Sequence, residues 1–227
     1  MIYRTEHPKP QFMRDNWINL NGEWQFGIDN ANSGKARGLY NPDTAFSSVI
    51  NIPFCPESKL SGIVHTDFLN AVWYKRTFEI TEEQLKGRVV LHFGAVDYEA
   101  FVFVNGKEVG SHKGGYVSFS FDITSFINVG ENVVTVNAVD DVRSRHIPCG
   151  KQSEKLESYG CFYTRTTGIW QTVWLEFKPN DYIENVKFYP NITDGSVTVT
   201  AKFAGSGNFK CDISYQGKPM GNYQANN

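Results

Sequence analysis

Short runs in which apolar and polar residues alternate recur along the whole chain, and glycine, asparagine and proline turns separate them. The clearest run, IWQTVWLEF at 169–177, places isoleucine, glutamine, valine, leucine and phenylalanine on one face and both tryptophans on the other. Alternation with period two is the signature of a strand. Asn105-Gly106 between two such runs is typical of a two-residue hairpin. Many short strands with frequent turns, and no long helical period, predict an all-β sandwich.

Charge and hydropathy exclude several classes of partner. The net charge is −2 and no block of lysine and arginine occurs, which argues against nucleic acid and an anionic membrane surface as partners. No apolar run approaches the roughly 20 residues needed to span a bilayer. The N-terminal MIYRTEHPKPQ lacks the apolar segment of a signal peptide. We expect a cytoplasmic protein, with secretion or a periplasmic location after removal of a signal as the alternative.

Cysteines and histidines give no sign of a metal or a cofactor. The four cysteines are irregularly spaced without a C-x-x-C motif, so free thiols are favoured, although a Cys149–Cys161 bridge is left open. The five histidines lack metal-ligand spacing, and His92, whose strand neighbours face the core, is expected at the surface. No loop rich in aspartate and asparagine favours calcium. We predict no cofactor and no metal.

Several blocks in order carry a family resemblance. They are NLNGEWQF, PFCPES, WYKRTFEI, LHFGAVDYEAFVFVNGKEVGSHKGGY, FDIT, GENVVTVNAVD and TGIWQTVWLE. Over roughly residues 15 to 178 this series resembles the N-terminal domain of family-2 glycoside hydrolases, which include β-galactosidases, β-glucuronidases and β-mannosidases. The resemblance implies a galactose-binding-domain-like jelly-roll β-sandwich over 1–178. After the turn at 179–181, it implies the first strands of an immunoglobulin-like β-sandwich over 179–227.

The resemblance also implies where the chemistry lies. The family hydrolyses β-glycosides with retention through two glutamates at the strand ends of a TIM barrel. No such barrel fits in this chain, so we expect an N-terminal piece of a longer enzyme, with no catalytic residue and no activity of its own. The barrel would be its partner, and a homo-oligomer is left open. Asp140 and Asp141 point to opposite faces of a strand, so they cannot flank one bond and are expected to be solvated acids.

The loop from Lys151 to Gly168 is the candidate site. In the β-galactosidases and β-glucuronidases the corresponding loop reaches over the barrel mouth, where an aspartate contacts the sugar. The matching position here holds Phe162, which can stack on a sugar but cannot accept its hydrogen bond. Tyr163 and Arg165 remain as polar groups that would reach substrate. Arg165 is equally well explained as an ion pair or carbonyl clamp that fixes the loop.

Three further residues are assigned structural or interface roles. Asp97, in a block that closely resembles the family, is expected to cap backbone N–H groups rather than to contact the barrel. Trp170 and Trp174 share a strand face in the alternating run. They would form either a sugar-stacking platform or, as favoured, part of an interface or core.

Three functions are consistent with these patterns. The favoured one is a non-catalytic domain that packs on the barrel of a retaining β-glycoside hydrolase and shapes its substrate pocket. A stand-alone carbohydrate-binding module is the alternative, since many such modules share the fold. A sandwich that binds other proteins without any sugar contact is the third.

Overall fold

The computed structural model describes residues 2–226 and divides into two compact units, Met1–Phe177 and Lys178–Asn227. Apart from strands it has three short 3-10 helices, at Lys59–Ser61, Gln84–Lys86 and Thr124–Phe126. Thr81 and Gln84 form a reciprocal capping box at the second of these, as their sequence predicts. Among residues 2–226, no helix has the length and apolar character that crossing a membrane requires.

The first unit contains twelve strands. In chain order they are β1 (Trp17–Asn19), β2 (Gly22–Ile28), β3 (Ser48–Ile52), β4 (Ala71–Ile80), β5 (Arg88–Phe93), β6 (Val96–Asp97), β7 (Glu99–Val104), β8 (Lys107–Lys113), β9 (Phe119–Asp122), β10 (Gly130–Val139), β11 (Gly168–Ile169) and β12 (Val173–Lys178). Six of them form one sheet in the order β3-β2-β4-β10-β7-β8, and four form a second in the order β1-β12-β5-β9. The short strands β6 and β11 pair with each other.

The core lies between the two larger sheets. The alternate apolar residues of β5 and β12 face those of β2, β4, β7 and β10 in one continuous cluster. Its largest fully buried members include Trp24, Phe26, Tyr74 and Phe93. Burying one large apolar side chain of this kind stabilises a fold by about 1.5–3 kcal/mol. The predicted all-β sandwich is therefore confirmed.

The run at 169–177 forms two strands and not one. β11 ends at Ile169, and β12 begins only at Val173. Between them the chain passes close to Gly94, whose N–H donates to the Thr172 carbonyl at 2.8 Å. A side chain at Gly94 would overlap Gln171, so the close approach requires glycine here. The alternation continues across the break, but the backbone leaves the sheet at Trp170.

The second unit consists of two β-hairpins. One pairs β13 (Tyr182–Asn191) with β14 (Ser196–Ala204), and the other pairs β15 (Asn208–Tyr215) with β16 (Lys218–Asn226). The rings of Phe203 and Phe209 meet edge to face at 5.0 Å between centroids. Other large side chains of this unit are exposed, among them Phe188, Ile192, Tyr215 and Met220. The immunoglobulin-like assignment of this unit remains a prediction.

Candidate functional site

The loop Lys151–Gly168 is the later part of the connection from β10 to β11, and it folds back on itself. Its two arms are tied together, because Ser153 N–H donates to the Tyr163 carbonyl at 2.7 Å and Tyr163 N–H donates to the Lys151 carbonyl at 3.0 Å. Nearer the tip, Tyr159 and Phe162 exchange backbone hydrogen bonds of 3.1 and 2.8 Å. Gly160 turns the tip with φ of +53°, a conformation that glycine adopts readily. The loop is therefore a defined structure in which residue positions are fixed.

Aromatic side chains cover the outside of this loop. Phe162 is 37% exposed and Tyr163 is 46% exposed, and the ring of Phe162 stacks on that of Tyr159 at 5.1 Å. Exposed Tyr116, which follows β8, belongs with them, because its hydroxyl lies 3.5 Å from the Nε2 atom of Gln152, whose backbone pairs with that of Tyr163. We call Tyr116, Tyr159, Phe162 and Tyr163 the ring patch. Such a patch offers faces for stacking together with three hydroxyl groups, a combination suited to sugars.

Arg165 lies beneath the loop and not on its surface. It is only 3% exposed. Its guanidinium donates to the carbonyls of Lys155 at 2.6 Å, Ser153 at 3.3 Å and Thr66, and it lies over the Phe68 ring at 4.4 Å. Of the two interpretations offered for this residue, the structure favours the carbonyl clamp over a contact with substrate. The planar fork of donors suits arginine to this task better than lysine.

Three buried carboxyl groups anchor the end of the loop. The Thr167 N–H donates to Glu57 Oε2 at 3.2 Å, and the Thr167 hydroxyl donates to Asp140 Oδ2 at 3.3 Å. Asp97 accepts a hydrogen bond of 2.8 Å from the Gln152 side chain. Among residues 2–226, no lysine, arginine or histidine forms an ion pair with any of these carboxyl groups. The cluster is therefore acidic, buried and without a paired cation.

Burial changes how these acids titrate. Loss of hydration raises the pKa of Asp140 to about 8, and the charges of Asp97 and Glu57 add to the effect. Burial likewise raises the pKa of Asp97 to about 6 and raises that of Glu57 above its usual range. The Cys55 thiol, next to Glu57, has its pKa raised to about 12 by burial and by that neighbouring charge. Near pH 7 the Asp140 carboxyl group is therefore mainly protonated and uncharged.

The expectation that Asp140 is a solvated acid was wrong. It is 2% exposed, because the end of the loop covers the end of β10 and Thr167 bonds to it. The expected role of Asp97 as a backbone cap is also corrected. Within the described part of the chain its carboxylate accepts from the Gln152 amide, and no backbone N–H donates to it. Neither Glu57 nor Gln152 was singled out from the sequence, since each meets its partner across more than 50 residues.

The two tryptophans of the alternating run have different environments. Trp174 is fully buried and stacks on His92 at 4.7 Å between centroids, while His92 hydrogen-bonds Glu176 at 3.0 Å. His92 does face away from the core, but the expectation that it is a surface residue was wrong, because it is buried on this outer sheet face. Trp170 is half-buried and donates from Nε1 to the Gly115 carbonyl at 2.8 Å. The pair therefore forms no open stacking platform.

A groove of about 530 Å³ runs beside these tryptophans. Its walls combine Tyr116 and Trp170 with the polar N-terminal segment at 4–10.

Elsewhere, the four cysteines are free thiols. Among residues 2–226, no three histidine, cysteine, aspartate or glutamate side chains are grouped so that they would hold a metal ion.

Comparison with known proteins identifies the family. Residues 18–179 match the family described as glycosyl hydrolases family 2, sugar binding domain. The chain belongs to this family. The family-2 match runs from the second residue of β1 to just past β12 and includes the loop Lys151–Gly168.

Curated relatives of this family-2 chain include glycosidases of two kinds. The chain is 29% identical over 194 residues to a β-galactosidase of Thermoanaerobacter pseudethanolicus, a match that covers 83% of this chain and 25% of the relative. It is 26% identical over 240 residues to a β-glucuronidase of Mus musculus, covering 94% of this chain and 36% of the relative. The chain therefore corresponds to about a quarter to a third of the length of these enzymes.

Solved structures agree with the sequence relatives. A β-glucuronidase from an uncultured Clostridium species has a TM-score of 0.73 and 25% identity, over 93% of this chain and 39% of that one. A β-glucuronidase from Lactobacillus rhamnosus has a TM-score of 0.75 at 22% identity, which supports the fold alone. The jelly-roll sandwich predicted from the sequence is therefore the fold of this family's sugar binding domain.

Proposed function

We propose that this chain is the non-catalytic sugar binding domain of a retaining β-glycoside hydrolase, and that its ring patch forms part of the substrate pocket. The chemistry would come from two glutamates of a barrel outside these 227 residues. The role of this chain would be to hold the ring patch against that barrel. Stacking of a ring on the C–H face of a sugar orients a substrate without taking part in bond cleavage.

The observation that carries this proposal is the contrast between the outside and the inside of the loop. Outside, aromatic rings that a soluble domain would ordinarily bury are exposed at Phe162 and Tyr163. Inside, Arg165 and Thr167 attach the loop to carbonyl and carboxyl groups of the sandwich. Rings held out on a fixed loop favour recognition, because binding then orders few additional groups.

The substrate class is proposed to be a β-linked hexoside or hexuronide. The curated relatives are β-galactosidases and β-glucuronidases, whose sugars differ at C4 and C6. Phe162 contributes a face and no hydrogen-bonding group, so the polar contacts that select the sugar would come from Tyr163, Tyr116 and the barrel. The cytoplasmic location and the possible homo-oligomer remain predictions from the sequence.

The test is steady-state kinetics of the full-length enzyme with nitrophenyl β-galactoside and β-glucuronide. Phe162→Ala and Tyr163→Phe should each raise KM or lower kcat/KM by about tenfold, which corresponds to the loss of one stacking or hydrogen-bonding contact. Val129→Ala is the matched control, since Val129 is also exposed but lies before β10, whereas the loop follows it. The ten residues of β10, about 30 Å in length, separate Val129 from the connection that contains the loop. Unchanged kinetics in both loop variants would refute the proposal.

A stand-alone carbohydrate-binding module is the second candidate. The groove of about 530 Å³ supports it, because the groove is lined by Tyr116, Trp170 and polar groups and is large enough for a monosaccharide. Titration calorimetry of the chain with galactose, glucuronate and mannose distinguishes the candidates. Millimolar or tighter binding that Trp170→Ala abolishes would support the module, whereas no heat of binding would favour the pocket-shaping role.

A further inference from the structure

Gln152 lies where the two arms of the loop meet the sandwich. The residue is 3% exposed, and its side-chain amide donates on one side and accepts on the other. Nε2 donates to Asp97 Oδ2 at 2.8 Å, and Oε1 accepts from the Thr166 N–H at 2.7 Å. One amide therefore connects the first arm of the loop, the last arm and the strand pair that ends at Asp97.

The orientation of this amide follows from its partners. The Thr166 partner is a backbone N–H, which can only donate, so the atom facing it must be the carbonyl oxygen. The amide NH₂ group then has to face Asp97, where an acceptor is present. Reversing the amide would place two donors together and two acceptors together. The site therefore requires a group at 152 that accepts on one side and donates on the other.

Asp97 is as closely fitted as Gln152. It is 1% exposed at the end of β6, and a side chain at Gly115 would overlap its carboxyl group. Gly115 is followed by Tyr116, whose hydroxyl lies 3.5 Å from Gln152 Nε2, and the backbone of Gln152 pairs with that of Tyr163 in a β-bridge. The contacts of Asp97 and Gln152 thus lead directly to two members of the ring patch.

We propose that Asp97 and Gln152 are positioning residues, which set the place of Tyr116 and Tyr163 in the substrate pocket. This inference rests on the proposed function for its consequence in substrate binding. Its structural half, that the Gln152–Asp97 hydrogen bond holds the two arms of the loop in register, stands on the contacts alone. Neither residue needs to touch substrate or to change protonation during the reaction.

Isosteric variants separate the hydrogen bond from size and packing. At about pH 9, well above the pKa of about 6 at Asp97, Gln152→Glu keeps an acceptor for Thr166 but replaces the donor facing Asp97 with a second acceptor, and all variants are compared at that pH. Asp97→Asn keeps an oxygen that accepts from Gln152, so it is the conservative control. The double variant Asp97→Asn with Gln152→Glu restores one donor and one acceptor with the direction reversed. Rescue in the double variant would be a signature of this bond that general damage to the fold does not produce.

Amide hydrogen exchange of the 227-residue chain is the first readout. In Gln152→Glu the amides of Tyr163 and Thr166 should exchange about tenfold faster, as expected when one buried hydrogen bond of about 1.4 kcal/mol is lost. Asp97→Asn should stay within about twofold to threefold of the wild type, and the double variant should return to that range. The proposal would be overturned if Gln152→Glu and the wild type exchanged at equal rates, or if the double variant exchanged faster than both single variants.

Kinetics of the full-length enzyme is the second readout. The proposal predicts that Gln152→Glu raises KM about tenfold while kcat changes by less than about threefold, with KM restored in the double variant. If exchange follows the pattern above but KM does not change, the loop is positioned as proposed and the proposed function fails. If exchange does not respond, the positioning role fails whatever the kinetics show.

Discussion

The Asp140→Asn variant should be less stable to unfolding than the wild type at acid pH and more stable than the wild type near pH 7.5. The folded pKa of Asp140 is about 8, because the side chain is buried beside Asp97 and Glu57. In the unfolded chain the same group titrates near its ordinary pKa of 3.8. Below that value both states are protonated, so the carboxyl group has no linkage effect on stability. Between the two values the unfolded chain releases a proton that the folded chain retains, and stability falls as the pH rises.

The size of the effect follows from the pKa difference. Each pKa unit is worth about 1.4 kcal/mol, so wild-type folding is disfavoured by about 4–5 kcal/mol at pH 7.5 relative to acid pH. Asparagine removes this term and keeps an oxygen for the Thr167 hydroxyl. It also places an NH₂ group where Oδ1 has no partner, at a cost of about 1–3 kcal/mol. At pH 4.5 the linkage term has already reached about 1 kcal/mol, so we expect the variant to be about 3 kcal/mol more stable at pH 7.5 and about 1 kcal/mol less stable at pH 4.5.

Tryptophan fluorescence is the right assay, because all five tryptophans lie between residues 17 and 174, in the first unit. Thermal unfolding at pH 4.5, 6.0 and 7.5 should show the Tm of the variant lowered by about 2–4 °C at pH 4.5 and raised by about 6–12 °C at pH 7.5. Val129→Ala, at an exposed position before β10 that carries no titratable group, is the control and should leave the pH dependence unchanged. A variant that is destabilised equally at all three pH values would refute the account of a buried, uncharged Asp140.

Three further predictions use the same fluorescence assay. Arg165→Lys should destabilise the first unit by about 2 kcal/mol, because lysine cannot reproduce the fork of hydrogen bonds to carbonyls; equal stability would contradict the clamp. Trp174→Ala should cost about 3–5 kcal/mol and half-buried Trp170→Ala markedly less, whereas the reverse order would contradict the packing described. Gly115→Ala should destabilise the first unit by about 1–3 kcal/mol, because the added methyl group would overlap Asp97. Gly27→Ala should be nearly neutral, because its methyl group would meet only an ordinary contact with Phe46 at 3.6 Å. Similar losses of stability at both glycines would contradict the close fit around Asp97.

Local patterns in the sequence predicted most of the sandwich. Period-two alternation along the chain predicted the all-β sandwich, and the Asn105-Gly106 hairpin signal lies where β7 turns into β8. The exception was the run at 169–177, where the close approach to Gly94 breaks the strand. Alternation reports which face a side chain occupies, and this remained correct for His92. It does not report what covers that face, so the burial of His92 was missed.

The candidate site was less predictable for a physical reason. Its anchors are contacts between residues far apart in sequence, such as Thr167 with Glu57 and Gln152 with Asp97. No local pattern encodes such pairs, and a buried acid that bonds a loop has the same sequence signature as a solvated acid at a strand end. Asp140 was misjudged for that reason. The loop itself was found through its resemblance to the family and not through its residue pattern.

The most direct test of the central claim is hydrolysis of nitrophenyl β-glycosides by the purified 227-residue chain. If this domain only shapes a pocket, β-galactoside, β-glucuronide and β-mannoside substrates should show no turnover above the uncatalysed rate. Turnover that disappears when Asp97, Glu57 or Asp140 is replaced by its amide would contradict the account, because it would place the acid chemistry inside this sandwich.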